Sequence, residues 1–131
     1  MKNFSFKKEE RLTSTKVIGR MFKEGQSFGQ YPLRLVWLPQ GSDSPVPLQV
    51  VVSVPKKRFK KAVDRNRIRR RVKEAYRLNK GRIYQRLDGR GARFALMIIY
   101  TGQEEMSFEV IDQAMRQMLA RFLKKTAETT N

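Results

Sequence analysis

Three features of this 131-residue sequence predict an α+β two-layer sandwich. Strand-length apolar or β-branched runs precede a long charged segment, a further such run follows it, and amphipathic helical periodicity marks both ends. The order that results is α-β-β-(β)-α-β-α, with helices covering a central sheet of about four strands. The length fits a single domain over residues 1–131, and 40% hydrophobic residues, including one Trp, four Tyr and eight Phe, suffice for one core.

Residues 1–12 read as an extended basic lead-in anchored by Phe4, Phe6 and Leu12. Thr13 or Ser14 is placed to cap a first helix running to about Glu24, which Gly25 ends. Val17, Ile18, Met21 and Phe22 give that helix an apolar face. Residues 31–38 form a strand, largely apolar from Leu33 to Leu38, and the Pro- and Ser-rich stretch 39–45 forms a loop. Leu48 to Val54 is β-branched enough to predict a strand buried on both faces, ended by Pro55.

A basic helix then runs from about Lys61 to Asn79, docked by Ile68, Val72, Ala75 and Tyr76. Arg82 to Leu87 adds a short helix before a turn at Asp88-Gly89-Arg90-Gly91. Phe94 to Tyr100 is the next strand. The last helix, from about Ser107 to Lys125, carries the seam Phe108, Ile111, Met115, Met118, Leu119 and Phe122, and residues 126–131 read as a frayed tail.

The net charge of +17 is unevenly distributed. Residues 56–93 hold seventeen Lys and Arg against three acidic residues, so nearly the whole excess lies in the middle third. From Lys56 to Arg77 alone there are twelve basic and two acidic positions. Asn66, Arg70, Lys73 and Arg77 fall opposite the apolar stripe, flanked by Arg67 and Arg69. Acidic i,i+4 partners are nearly missing, so the face is poorly compensated within the helix. Such a concentration suits phosphate, which arginine binds through its fork and lysine as a mobile point charge. The apolar stripe is narrow and needed for the core, which disfavours a membrane surface and favours a nucleic acid.

Other functions are excluded or weakened by composition. With no His and no Cys, the chain has no His-activated nucleophile and no Cys/His zinc site. The best carboxylate cluster, Glu104, Glu105, Glu109 and Asp112, leaves a metal-dependent nuclease open, although acidic residues at a helix start ordinarily complement its dipole. No apolar run reaches spanning length, the N-terminal segment lacks the apolar core of a signal peptide, and the absence of cysteine is compatible with a cytoplasmic location.

The run Arg65-Asn66-Arg67-Ile68-Arg69-Arg70, preceded by Ser53-Val54-Pro55-Lys56-Lys57 and followed by Glu74-Ala75-Tyr76, resembles the signature of the bacterial ribonuclease P protein subunit. Arg11-Leu12 and Phe22-Lys23-Glu24-Gly25 are similar to that family's opening helix, and the likeness spans about residues 8–125. It implies a four-stranded sheet with a left-handed βαβ crossover containing the basic helix. It also implies a protein cofactor of a ribonucleoprotein endonuclease whose catalytic RNA removes the 5′ leader of precursor tRNA, one protein per RNA, with Mg2+ held mainly by RNA. On that likeness Arg65, Asn66, Arg67, Arg69 and Arg70 contact or position the catalytic RNA. Lys56, Lys57, Lys60, Lys61 and Lys73 add RNA contacts. Arg11, Ile18, Phe22 and Val36 line the leader cleft, although aromatic residues stand in some relatives at the sites of Ile18 and Val36. Ile18 and Phe22 also read as plain core, and Asn66 as a backbone hydrogen-bonding residue near the helix start. A ribosomal or ribosome-assembly protein would share the same size and charge.

Overall fold

The protein, described here from a computed structural model, is seen over residues 7–41 and 44–129. A 3-10 turn at Lys8–Glu10 leads into α1 (Thr15–Glu24), β1 (Gln26–Gln30), β2 (Leu33–Pro39), β3 (Leu48–Ser53), α2 (Ala62–Arg90), β4 (Phe94–Tyr100) and α3 (Phe108–Thr129). The four strands form one sheet in the order β1-β2-β4-β3, antiparallel except for the parallel pair β3–β4. The predicted α+β order is therefore present. Phe4 and Phe6 lie outside the described residues.

Alternation along the strands divides the sheet into two faces. Leu33, Leu35 and Trp37 of β2, Leu48, Val50 and Val52 of β3, and Leu96, Ile98 and Tyr100 of β4 enter one core with α2 and α3. Trp37 meets Phe28 and Phe122 edge to face, with centroids 5.8 and 5.6 Å apart. The α3 residues in this core include Ile111, Met115, Met118, Leu119 and Phe122, as the periodicity predicts. On the other face, Leu12, Met21, Leu38, Ala95 and Met97 make a smaller cluster beneath α1. Because β3 is an edge strand with this thinner cover, its burial alternates, and Gln49, Val51 and Ser53 are only half-buried rather than enclosed on both sides.

The caps of α1 follow from its sequence. Ser14 Oγ accepts the Val17 amide at 3.2 Å, satisfying one of the unpaired donors at the helix start. Gly25 ends the helix, yet its φ of −67° needs no glycine. The requirement is space: a Cβ there would lie 2.5 Å from the Met21 carbonyl oxygen and 2.9 Å from Val36 Cγ1. β1, a polar segment with no alternating apolar signal, pairs with β2 through the turn at Tyr31-Pro32, whose peptide is cis.

The basic helix is much longer than expected. α2 continues through Gly81 and through Asp88-Gly89-Arg90, fusing the two expected helices into one of 29 residues. Glycine inside a helix costs about 1 kcal/mol against alanine, an amount that burial of Ile83 and Leu87 outweighs. The helix ends at Gly91, with φ 68°, where the Ala92 amide bonds the Leu87 carbonyl at 3.0 Å in a Schellman-type closure. Nor is the start of the C-terminal tail frayed. α3 runs to Thr129, and buried Thr126 returns its hydroxyl to the Phe122 carbonyl at 2.9 Å.

The lead-in is fastened by a buried charge pair. Glu10, buried like Lys80 of α2, accepts hydrogen bonds from the Lys80 ammonium and the Tyr84 hydroxyl, while its second oxygen accepts the Lys7 amide at 2.9 Å. Burial pushes the Glu10 carboxyl up, but the bonds from Lys80, Tyr84 and the Lys7 amide outweigh it and leave the group below its ordinary range. Next to it, Leu12 N–H bonds the Val50 carbonyl at 3.0 Å, so the segment runs alongside β3. Replacing Lys80 with Met leaves an uncompensated buried carboxylate and is expected to cost about 3–5 kcal/mol in denaturant unfolding, most of it recovered by adding Glu10→Leu. The native protein should hold Glu10's contribution in full above the ordinary carboxylate range and lose it as pH falls through the lowered value. Equilibrium unfolding against pH should show this slope, and Glu10→Gln should flatten it.

Candidate nucleic-acid interface

Between β3 and α2 the chain makes a basic loop whose shape is set by aromatic and arginine anchors. Phe59 tucks against the core, edge to face with Tyr100 at 5.8 Å. Arg58 donates to the Thr101 carbonyl at 2.8 Å, and Arg65 donates to the carbonyls of Phe59 and Lys60 at 2.7 and 2.9 Å. Arg65 thus draws the loop back over the helix start. Lys56, Lys57, Lys60 and Lys61 remain exposed on that loop.

Arg67 lies between two acids, bound to both oxygens of Glu105 and to Asp64 at 2.8 Å. The Arg67 hydrogen bond holds the Glu105 carboxyl below its ordinary range and raises the guanidinium in turn. Arg71 adds a contact to Glu105 at 3.1 Å and donates to the Met106 carbonyl at 2.8 Å. These arginines stitch α2 to the 101–106 loop. Asn66 is exposed, and its carbonyl oxygen accepts from Arg69 at 2.7 Å instead of binding the backbone. Arg77 pairs with Glu74 at 2.7 Å.

The outward face is therefore carried by Arg69, Arg70 and Lys73 with the four loop lysines. Arg70 and Lys73 are exposed. Partial burial, then the charges of Arg69 and Arg11, lower the Lys73 ammonium pKa. Among the described residues Arg69, Arg70 and Lys73 form no ion pair with an acid, which leaves them to an external anion. Arg11 is exposed and bridges to Val50 of the edge strand β3. Its neighbour Leu12 lies in the cluster under α1.

The other anticipated cleft residues do share a surface. Across the outer sheet face the register aligns Ser27, Val36, Met97 and Val51 in one row and Gly29, Arg34, Ile99 and Ser53 in the next. Ile18 of α1 and Val36, Val51 and Ile99 of the sheet are half-buried along the edge of the small cluster. Phe22 projects from α1 with 73% of its surface exposed, so it is not core. Arg34, held to Ser27 Oγ at 3.1 Å, gives this open apolar floor a cation.

The four acidic residues considered for metal chemistry are dispersed. Glu105 faces Arg67 and Arg71, Asp112 accepts from Asn79 at 2.8 Å and pairs with Arg116, and Glu104 and Glu109 are exposed. Among the described residues no three His, Cys, Asp or Glu side chains are grouped to hold a metal ion, and no helix is long and apolar enough to cross a membrane. Sequence reasoning missed Glu10, Lys80 and Tyr84, whose pairing spans about 70 positions and has no local signature. It also missed the structural duties of Arg58 and Arg71.

A two-layer fold with a long cationic helix along one edge and an open, partly apolar sheet face defines a polyanion-binding module. Comparisons with known proteins make that class particular. The family model described as Ribonuclease P matches residues 6–123. Two proteins named ribonuclease P protein component, from Porphyromonas gingivalis strains ATCC 33277 and W83, are 37% and 40% identical to the chain, each alignment covering 90% of it and 86% of the relative. A solved structure titled RNase P protein from Thermotoga maritima superposes with a TM-score of 0.68 at 26% identity, covering 86% of this chain and 96% of that one. The Staphylococcus aureus RNase P protein shares the fold, with a TM-score of 0.67 at 20% identity. The chain belongs to the ribonuclease P protein family.

Exposure separates neighbouring residues of α1. Phe22→Ala should change unfolding free energy by no more than about 0.5 kcal/mol, whereas Met21→Ala, one position earlier and buried, should cost about 2–5 kcal/mol in the same denaturant titration.

Proposed function

We propose that the chain is the protein cofactor of a ribonuclease P particle in which the RNA subunit contains the active site and removes the 5′ leader of precursor tRNA. The observation that carries this reading is the exposed cationic surface of Arg70, Lys73 and the loop lysines beside Arg69, which among the described residues has no ion pair to an acid, in a chain of this family. Lys56, Lys57, Lys60, Lys61, Arg69, Arg70 and Lys73 make the phosphate contacts, with Asn66 orienting Arg69. Arg65 and Arg67 act chiefly by fixing the loop and the helix against which the RNA docks. Mg2+ is held mainly by RNA phosphates, and one protein serves one RNA in the cytoplasm.

The open sheet face takes the single-stranded leader. Ile18, Val36 and Ile99 supply a shallow apolar floor, Phe22 a ring on which a base can stack, and Arg34 a phosphate contact. One aromatic where some relatives have more leaves binding dependent on shape and charge, since each stacked base is worth only about 1–3 kcal/mol.

The deciding assay is precursor-tRNA cleavage at low magnesium with protein alone, RNA subunit alone, and both. Strong cleavage only in the mixture is expected; a mixture no better than the RNA alone would remove the cofactor assignment. In binding titrations with the RNA subunit, Arg70→Ala should lower the log–log salt slope by about 0.7–0.9, one phosphate contact. Phe22→Ala should weaken precursor more than mature tRNA.

A further inference from the structure

The cationic face used above occupies the first half of α2. The second half, with α3, bounds an open groove of about 1010 Å³ on the solvent side of the helical layer. Arg82, Arg86 and Arg90 form one wall, and Arg116 and Lys124 stand on the other. Among the described residues no acidic side chain lines it. We propose that this groove binds the phosphodiester backbone of an RNA strand, as a surface separate from the α2 face already described. The inference rests on the RNA-partner reading for the identity of the polyanion.

The argument begins with pairing. Arg82, Arg86 and Lys124 are exposed and, among the described residues, have no hydrogen bond or ion pair. Arg90 has only a 3.5 Å contact to Thr126 Oγ1, and Arg116 alone is neutralised, by Asp112 at 2.8 Å. Elsewhere on α2 the arginines mostly find carboxylates or carbonyls, so this wall is exceptional within its own helix. Residues four apart rise about 6 Å along the axis, a spacing at which successive arginines can meet successive phosphates of one strand.

The floor supports a backbone over a peptide. Gly81 has nothing within 4 Å of where a Cβ would stand, and Ala120 and Ala127 are small, so a strand can approach both helices closely. An amphipathic acidic helix would need an apolar trough. Leu119 and Leu123 are instead turned into the core, leaving Leu78, 44% exposed, as the one large apolar side chain on offer.

Position makes the surface distinct. At 100° per residue, Arg82, Arg86 and Arg90 point away from the side of α2 that bears Asn66, Arg70, Lys73 and Arg77. The sheet separates the groove from the open face beside α1. A strand lying in the groove is therefore a different segment of RNA from one held at either other surface.

The test uses the full chain and in vitro transcribed ribonuclease P RNA. Arg82→Ala/Arg86→Ala/Lys124→Ala should lower the log–log salt slope by about 2–3, at roughly 0.7–0.9 per contact, with an unchanged circular dichroism melt. Gly81→Leu, which fills the groove without altering charge, should weaken binding several-fold while Arg70→Ala still acts independently. If the wild-type protein binds and Arg70→Ala lowers the slope, but the triple variant and Gly81→Leu match wild type, the groove proposal is overturned and the cofactor reading stands. Failure of the wild-type protein to bind the RNA would overturn both. If the triple variant loses slope but Gly81→Leu binds normally, the cations act as a diffuse field and the seated strand is ruled out.

Discussion

The parallel pairing of β3 with β4 is the constraint from which the rest of the molecule follows. Parallel neighbours cannot be joined by a tight turn, so the chain must leave the end of β3 and return the full length of the sheet before β4 begins. Here α2 makes that return. At 1.5 Å per residue its 29 residues span about 43 Å, roughly twice the length of a six-residue strand. The excess length cannot all lie on the sheet, and α2 lays much of it against α3. The same helix carries eleven Lys and Arg against three acidic residues, nearly half of the net charge of the chain. A crossover needed for topology has become the rod on which cations are displayed.

That charge is not one undifferentiated resource. Within the basic segment the arginines mostly turn inward to other parts of the chain: Arg58 to Thr101, Arg65 to Phe59 and Lys60, Arg67 and Arg71 to Glu105. The four loop lysines and Lys73 remain outside, and only Lys80 is buried. The planar fork explains the division, since it can hold two acceptors at once from a fixed direction, whereas an ammonium on a flexible stem gains less from being tied to one carbonyl. Of the carboxylates that composition suggested for metal chemistry, Glu105 is the counterpart of this arrangement. Glu105 is held below its ordinary range by Arg67, as befits a structural counter-charge and not a general acid.

Much of this was legible in the sequence because it is local. The α3 seam, the strand at Phe94–Tyr100, the Ser14 cap and the net charge of residues 56–93 all declare themselves within a few turns of chain. What was not legible depends on distance or context. β1 is polar and takes its strand conformation from pairing with β2. The sequence suggests two helices separated at Lys80-Gly81, yet burial on either side carries one helix through that point. Gly25 was recognisable as a terminator, but for the wrong reason, because the close approach of Val36 is known only once α1 lies on the sheet. Arg11 and Phe22 could be placed near the site by likeness alone. Only the fold shows that Arg11 is exposed beside the edge strand β3 and that Phe22 stands clear of the core.

The open sheet face is likewise a consequence of lengths. α1 has ten residues, about 15 Å, and cannot cover a four-stranded sheet. Gly25 lets it sit close over Leu38, Ala95 and Met97, which are buried, while in the next row Ile99 and Ser53 are only half-buried and Gly29 and Arg34 are exposed. Extending α1 would close that floor, but the chain must turn at Gly25 to supply β1, the strand that completes the edge beside β2. The helix is therefore kept short by the strand that follows it, and the surface available to a ligand is the part of the sheet that this bargain leaves bare.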